Sequence, residues 1–232
     1  MIGVYDYTVI LTYLSLLSAG CGVAVSLGYG NPFLGGFFLL ICGLCDAFDG
    51  RVARTKCDRT EMERNFGIQI DSLSDLIAFG VLPACIGTTL LKDSHFLNEV
   101  LGINQKTWYF MMGKFLLFAV LILYVLAALI RLAYYNVTEE ERQKTEDGVR
   151  KTYTGLPVTV SCFVFSFVLI LDRLIPADLT LLYFAFVVFL GVAFVSKFRV
   201  PKPAAKGIIC MVAVGVVEFA AMICMLLERL PR

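Results

Sequence analysis

Apolar runs long enough to cross a bilayer recur along this whole chain, and they leave it little choice of fold. They cover about residues 7–27, 33–53, 67–91, 110–135, 155–171, 179–195 and 207–227. A spanning helix needs about 20 apolar residues, and a backbone in lipid must satisfy its own polar groups, as a helix does. Hydrophobic residues make up 59% of the 232, above the roughly 45–50% of soluble domains. The expected fold class is therefore all-α: a polytopic membrane helix bundle of six core transmembrane helices plus an additional C-terminal helix. Residues 1–202 form the membrane domain, and residues 203–232 add the last segment and a short tail. Pro83 is expected to bend the third run, which neighbouring helices tolerate in a bilayer. No basic start and cleavage site precede the first run, so it is read as a retained span. The chain has no internal repeat.

Charge sorts the connections into two sets. Arg51, Arg54, Lys56, Arg59 and Arg64 follow the second run, Arg142, Lys144, Arg150 and Lys151 the fourth, and Lys197, Arg199, Lys202 and Lys206 the sixth. The other side has only Lys92, Lys106 and Arg173. The positive-inside rule makes the first set cytosolic, in a multi-pass protein of the cell membrane. Trp108 and Tyr109 stand where an interfacial aromatic belt belongs, and the charged connection 137–151 is expected to be helical in part. A net charge of +1 offers no face for nucleic acid. Most of the eight cysteines lie inside apolar runs, where cysteine behaves as a small hydrophobe. Cys42 and Cys45 have no second ligand pair, so redox or zinc chemistry is not expected of them. His95 reads as a solvated surface residue.

Between the second and third runs lie four aspartates in two short-spaced pairs, Asp46 with Asp49 and Asp71 with Asp75. Spacings of three and four put each pair on one helical face. A carboxylate at the centre of a membrane helix costs roughly 2.5–3.5 kcal/mol, less toward its ends. Four together call for a compensating partner, and hard divalent cations suit an all-oxygen donor set. Gly50 and Ala53 leave room beside Asp49, and Gly67 clears the face one turn before Asp71. Arg54 offers forked donors to a phosphate. This combination reads as metal-assisted phosphoryl chemistry at the cytosolic end of the bilayer.

The pattern D-x2-D-G-x2-A-R followed by G-x3-D-x3-D resembles the signature of the CDP-alcohol phosphotransferase family. Asp46, Asp49, Gly50, Ala53, Arg54, Gly67, Asp71 and Asp75 fill its eight fixed positions. Twelve residues separate Arg54 from Gly67, more than the family usually has, and this polar insertion is expected to be a longer cytosolic loop. Four further stretches are similar to the phosphatidylserine synthase branch: FGIQIDSLSDLIAFGVLPA, IRLAYYN at 130–136, TGLPVT at 154–159 and VSKFRVPK at 195–202. Ser15 departs from the asparagine that relatives often carry. The resemblance implies a CDP-linked lipid donor, a hydroxyl acceptor and CMP as leaving group. It implies two divalent cations, Mg²⁺ or Mn²⁺, held by Asp46, Asp49, Asp71 and Asp75, with Asp75 as general base toward serine. Asp46, Asp49, Gly50, Ala53, Arg54, Gly67 and Asp71 would line the nucleotide and phosphate site. The implied partners are CDP-diacylglycerol, L-serine, membrane lipids and a second copy in a homodimer.

Arg131, an intramembrane arginine near the cytosolic face, is a candidate for the acceptor carboxylate or a donor phosphate, with snorkelling as the bland alternative. Lys197 and Arg199 are candidates for lipid phosphate. Rival readings are a family member with a phosphorylated acceptor, such as glycerol phosphate or an inositol derivative, and an ion-coupled transporter. The transporter reading is disfavoured by the lack of a repeat and by aspartates lying toward one face.

Overall fold

The computed structural model describes residues 3–56, 58–94, 108–145, 152–201 and 205–228. The expected surface histidine, His95, lies outside these residues, as do Lys106, Arg150, Lys151 and Lys202 and the side chains of Trp108 and Tyr109. Helices α1 (Ile10–Tyr29) and α2 (Pro32–Ala53) form an antiparallel hairpin. Its turn is written in three residues. Gly30 adopts the left-handed conformation (φ 63°) that closes α1, Asn31 caps α2 by accepting from the Leu34 N–H (3.0 Å), and Pro32 takes the first helical position.

Next comes one continuous column made of α3 (Glu61–Asp75), a π-helical turn (Leu76–Val81) and α4 (Leu82–Asp93). Helix α5 (Trp108–Thr145) carries the expected partial helix of the charged connection, with Arg142 gripping Glu139 through Nη2 (2.6 Å) and Nε (3.1 Å). Then follow α6 (Val160–Leu174), α7 (Thr180–Val195) and α8 (Ala205–Leu227). Four segments are long and apolar enough to cross a membrane: Ile10–Tyr29, Pro32–Ala53, Glu61–Asp93 and Met112–Arg142. Thr180–Val195 and Met211–Leu227 are shorter apolar helices. Large apolar side chains such as Phe115, Leu116 and Ile122 on α5 are exposed, as a lipid-facing surface requires. The chain is a polytopic membrane helix bundle.

Lipid tails are as apolar as leucine, so helices in a bilayer associate through close packing and polar contacts rather than by escape from water. Helix α2 uses glycine for this. A Cβ at Gly43 would lie 2.6 Å from the Cys162 sulfur, one at Gly35 would overlap the Ser26 hydroxyl, and one at Gly36 would overlap Leu169. The same face lets α8 in: Phe219 stacks on Phe37 at 5.1 Å, and Met222 is fully buried. Cys42 donates to the Ser15 carbonyl at 3.3 Å, and Cys42 and Cys45 are both free thiols.

Pro83 does more than bend its helix. Proline has no N–H, so the carbonyl one turn before it, that of Phe79, loses its α-helical donor. The chain answers with the π-helical turn and with side chains: Tyr124 donates to the Phe79 carbonyl at 2.7 Å and Ser161 at 3.4 Å. Tyr183 donates to the Pro83 carbonyl at 2.7 Å. Tyr124, Phe165 and Tyr183 then pack as one aromatic cluster, with ring centroids 5.7 and 4.6 Å apart.

Two expectations need correction. The insertion after Arg54 is only half a loop, because Thr60 and Glu63 form a capping box and start α3 at Glu61. The bundle also contains a short ribbon that the helical patterning gave no sign of. β1 (Thr152–Thr154) pairs antiparallel with β2 (Arg199–Pro201) in the register Thr152 to Pro201 and Thr154 to Arg199. Gly155, at φ 78°, follows β1 and donates to the Phe198 carbonyl at 2.7 Å. A Cβ at Gly155 would lie 3.1 Å from the Ser196 carbonyl oxygen, so the turn needs glycine on both counts.

The Phe79 carbonyl gives a direct test of how this bundle is held. Tyr124→Phe and Ser161→Ala should each lower stability by about 0.6 kcal/mol, and by no more than about 1.7. The double variant should lose more than the sum, because the carbonyl is then left without a side-chain donor. Thermal unfolding in detergent, run as a double-mutant cycle, measures both quantities.

Candidate active site

The last turns of α2 and the body of α3 meet at one end of the bundle. Asp46 and Asp49 come from α2, and Asp71 comes from α3. Each offers a carboxylate oxygen to a group whose atoms all lie within 4.8 Å of one another. Calcium–oxygen and magnesium–oxygen bonds are about 2.0–2.6 Å, so two oxygens on one ion stand no more than about 5 Å apart. The observed spacing fits a single hard cation, and the donor set contains oxygen alone. Asp75, one turn beyond Asp71, is as buried as Asp49, each 9% exposed. It is within electrostatic range of the other three but is not part of the three-carboxylate group. Among the described residues, none of the four aspartates makes an ion pair with lysine or arginine.

A cavity of about 270 Å³ opens beside this group. It is lined by six residues singled out in the sequence: Asp49, Gly50, Ala53, Arg54, Gly67 and Asp71. The space at Gly50 is open, since a Cβ there would meet only the Arg54 guanidinium at 3.5 Å. The space at Gly67 is not, because the Arg59 guanidinium lies across it, with Nη2 2.7 Å from where a Cβ would be. The cavity also takes Thr8 from just before α1, Thr12 from its first turn, and Arg59 and Arg64 from the insertion. Sequence reading missed these four. Thr8 and Thr12 carry a weak signal, a spacing of four at the cytosolic end of the first run, whereas Arg59 and Arg64 had counted only toward orientation. Ser15 stands one turn beyond Thr12, buried, with no hydrogen-bond partner for its hydroxyl among the described residues.

The N-terminal segment is fastened beside the cavity. Lys56 donates to Asp6 at 2.8 Å and to Glu63 at 2.9 Å, and Asp6 also accepts from the Thr8 N–H (2.9 Å) and hydroxyl. The hydrogen bond from Lys56, followed by that from the Thr8 hydroxyl, holds the Asp6 carboxyl down at about 2, and the hydrogen bonds to Asp6 and then Glu63 raise Lys56. Because the Asp6 value is depressed, this tie is complete above the ordinary carboxylate range and is lost only as pH falls through about 2.

Arg131 and Lys197 are not among the described residues that line the cavity. Arg131 is buried, 5% exposed, and donates to the backbone carbonyls of Leu156 (2.9 Å) and Gly155 (3.4 Å). Its guanidinium also sits 5.7 Å from the centroid of the Tyr135 ring. It fastens the turn after β1 to α5 rather than snorkelling. Lys197 is exposed, and Arg199 pairs through its backbone in the ribbon. Farther along α5, the Asn136 amide donates to the Ser72 hydroxyl at 2.7 Å, next to Asp71 in the chain.

Comparison with known proteins agrees with this geometry. A CDP-diacylglycerol–serine O-phosphatidyltransferase of Helicobacter pylori is 30% identical over 174 residues, covering 71% of this chain and 62% of the relative. The protein of the same name from Saccharomyces cerevisiae is 34% identical over 123 residues, covering 52% and 36%. An archaetidylserine synthase of Methanothermobacter thermautotrophicus is 32% identical over 128 residues, covering 55% and 42%. The chain thus spans about 62% of the length of the Helicobacter relative that it matches. The CDP-alcohol phosphatidyltransferase family itself matches residues 7–217, and the chain belongs to that family.

Proposed function

We propose that this protein is a phosphatidylserine synthase, transferring the phosphatidyl group of CDP-diacylglycerol to the hydroxyl of L-serine with release of CMP. The observation that carries the reaction class is the meeting of Asp46, Asp49 and Asp71 within 4.8 Å beside a cavity lined by Arg54. The choice of serine is supported by the names of the relatives, which share serine as acceptor.

In this reading Asp46, Asp49 and Asp71 hold one divalent cation, Mg²⁺ or Mn²⁺, and Asp75 joins them in holding a second. Bound there, the cations would neutralise charge on the donor's pyrophosphate. Gly50 and Ala53 admit the donor close to the α2 backbone, and Arg54 donates to its phosphates. Asp75 accepts the proton from the serine hydroxyl as the new oxygen–phosphorus bond forms and the bond to CMP breaks. The acyl chains stay between helices, open to the bilayer. Serine enters from the cytosol, the side assigned by the positive-inside rule. The homodimer implied by the family resemblance belongs to the same proposal, as does location in the cell membrane.

Purified protein should release CMP from CDP-diacylglycerol with serine and with neither glycerol 3-phosphate nor inositol phosphate. Turnover with a phosphorylated acceptor alone would overturn the choice of serine. Asp75→Asn should lower turnover by about 10²–10⁴-fold, the range for a general base, while cytidine nucleotide still binds. Asp49→Asn should instead weaken metal-dependent nucleotide binding itself, as read by calorimetry. Chelation should abolish turnover, and Mg²⁺ or Mn²⁺ should restore it in the parent protein but not in Asp49→Asn.

A further inference from the structure

The twelve residues between Arg54 and Gly67 are where this chain departs from its family, and they are not slack. Lys56 binds Asp6 on one side and the Glu63 Oε1 on the other. The Glu63 Oε2 accepts from the Thr60 N–H at 2.8 Å, and the Thr60 hydroxyl accepts from the Glu63 N–H at 3.2 Å. One carboxylate thus joins the insertion to the first turn of α3, and one ammonium joins both to the N-terminal segment. Thr8, which holds Asp6 in place, lines the cavity itself.

The brace delivers Arg59 to the carboxylate cavity. Its Nη2 donates to the Glu63 backbone carbonyl at 3.3 Å and lies against Gly67. Its Nε is shielded from solvent and has no hydrogen-bond partner among the described residues. Arg59 forms no ion pair with Asp49 or Asp71, although all three line the same 270 Å³ space. A guanidinium has five donors in a rigid fork, and leaving one of them shielded and unmatched costs free energy. An anion with several oxygens, entering beside Asp49 and Asp71, would take up that donor. Forked pairing with phosphate is what arginine does better than lysine.

We propose that Arg59 is a further phosphate-binding residue for the cytidine diphosphate part of the donor, carried to the cavity by a braced insertion. The inference rests on the function proposed above and adds a specificity-determining contact from outside the family signature. The full chain in detergent with Mn²⁺ present tests it, with CDP as probe in calorimetry. Arg59→Gln should weaken CDP binding about tenfold and raise the KM for CDP-diacylglycerol by a similar factor, leaving the KM for serine unchanged. Arg59→Lys should recover part of the loss, and Lys56→Gln, which loosens the brace, should lose less than Arg59→Gln. Arg51→Gln, an exposed cation on the last turn of α2, should bind CDP like the parent.

CDP affinity within twofold of the parent in Arg59→Gln overturns the proposal, as does an equal loss in Arg51→Gln, which would mark a general charge effect. Should Arg59→Gln fail to keep the parent's melting temperature, Arg59→Lys and Lys56→Gln carry the test, and parental CDP binding in both overturns the proposal. A parent protein that binds no CDP with Mn²⁺ present overturns the function proposed above, and this inference with it. Parental binding with an unaffected Arg59→Gln overturns this inference alone.

Discussion

Three carboxylates held within 4.8 Å repel one another, and the bundle has to keep them together. At an effective dielectric of about 20, two unit charges 4.8 Å apart repel by about 3.5 kcal/mol. That is a large share of the roughly 5–15 kcal/mol that stabilises an ordinary domain. No lysine or arginine among the described residues pairs with these aspartates to relieve it. The packing of α2 must therefore be firm enough to hold the pair Asp46 and Asp49 against Asp71, and a cation in the gap would turn the repulsion into coordination.

Firmness in a bilayer comes from contact. Gly35, Gly36 and Gly43 give α2 its close approach to α1 and α6, with no Cβ to hold the neighbours off. Hydrogen bonds fix the column that carries Asp71. Ser74, three residues on, donates to the Thr12 carbonyl at 3.2 Å, and Asn136 holds Ser72. Farther along, Thr89 donates to the Ser26 carbonyl at 2.9 Å. The carbonyls around Pro83 accept from Tyr124, Ser161 and Tyr183, three donors on three other helices. A residue that breaks one helix in isolation becomes a point where four helices are tied.

What was legible in the sequence follows from how local its cause is. The apolar helical runs and the aspartate spacing depend on near neighbours, and the structure has helices over each run, though the fifth begins only at Val160. The gathering of Asp46, Asp49 and Asp71 was legible because the two pairs open and close adjacent helices. That Asp75 stands outside the three-carboxylate group was not, since it depends on how α3 is turned against α2. The ribbon joins Thr154 to Arg199 across a distance in sequence that no periodicity can report. Arg131 looked like a ligand because an intramembrane arginine needs acceptors, and the structure supplies two in the Gly155 and Leu156 carbonyls. The capping box at Thr60 and Glu63 was readable but was passed over because the insertion looked polar throughout.

Two groups of cations in the described residues differ in what they touch. Lys56, Arg131 and Arg142 are held by carboxylates or carbonyls and fasten one element to another. Arg54 and Arg59, at the cavity, make no ion pair among the described residues, and neither do Asp49 and Asp71, which line it with them. Opposite charges that share one small space without pairing need a reason, since direct pairing would relieve both. On the function proposed above, that reason would be a ligand bringing both divalent cations for the carboxylates and phosphate oxygens for the guanidinium groups. A metal-bound nucleotide diphosphate has that composition. On the proposed function, Asp49 and Asp71 would meet the donor's cations in this cavity, and Arg54 and Arg59 its phosphates.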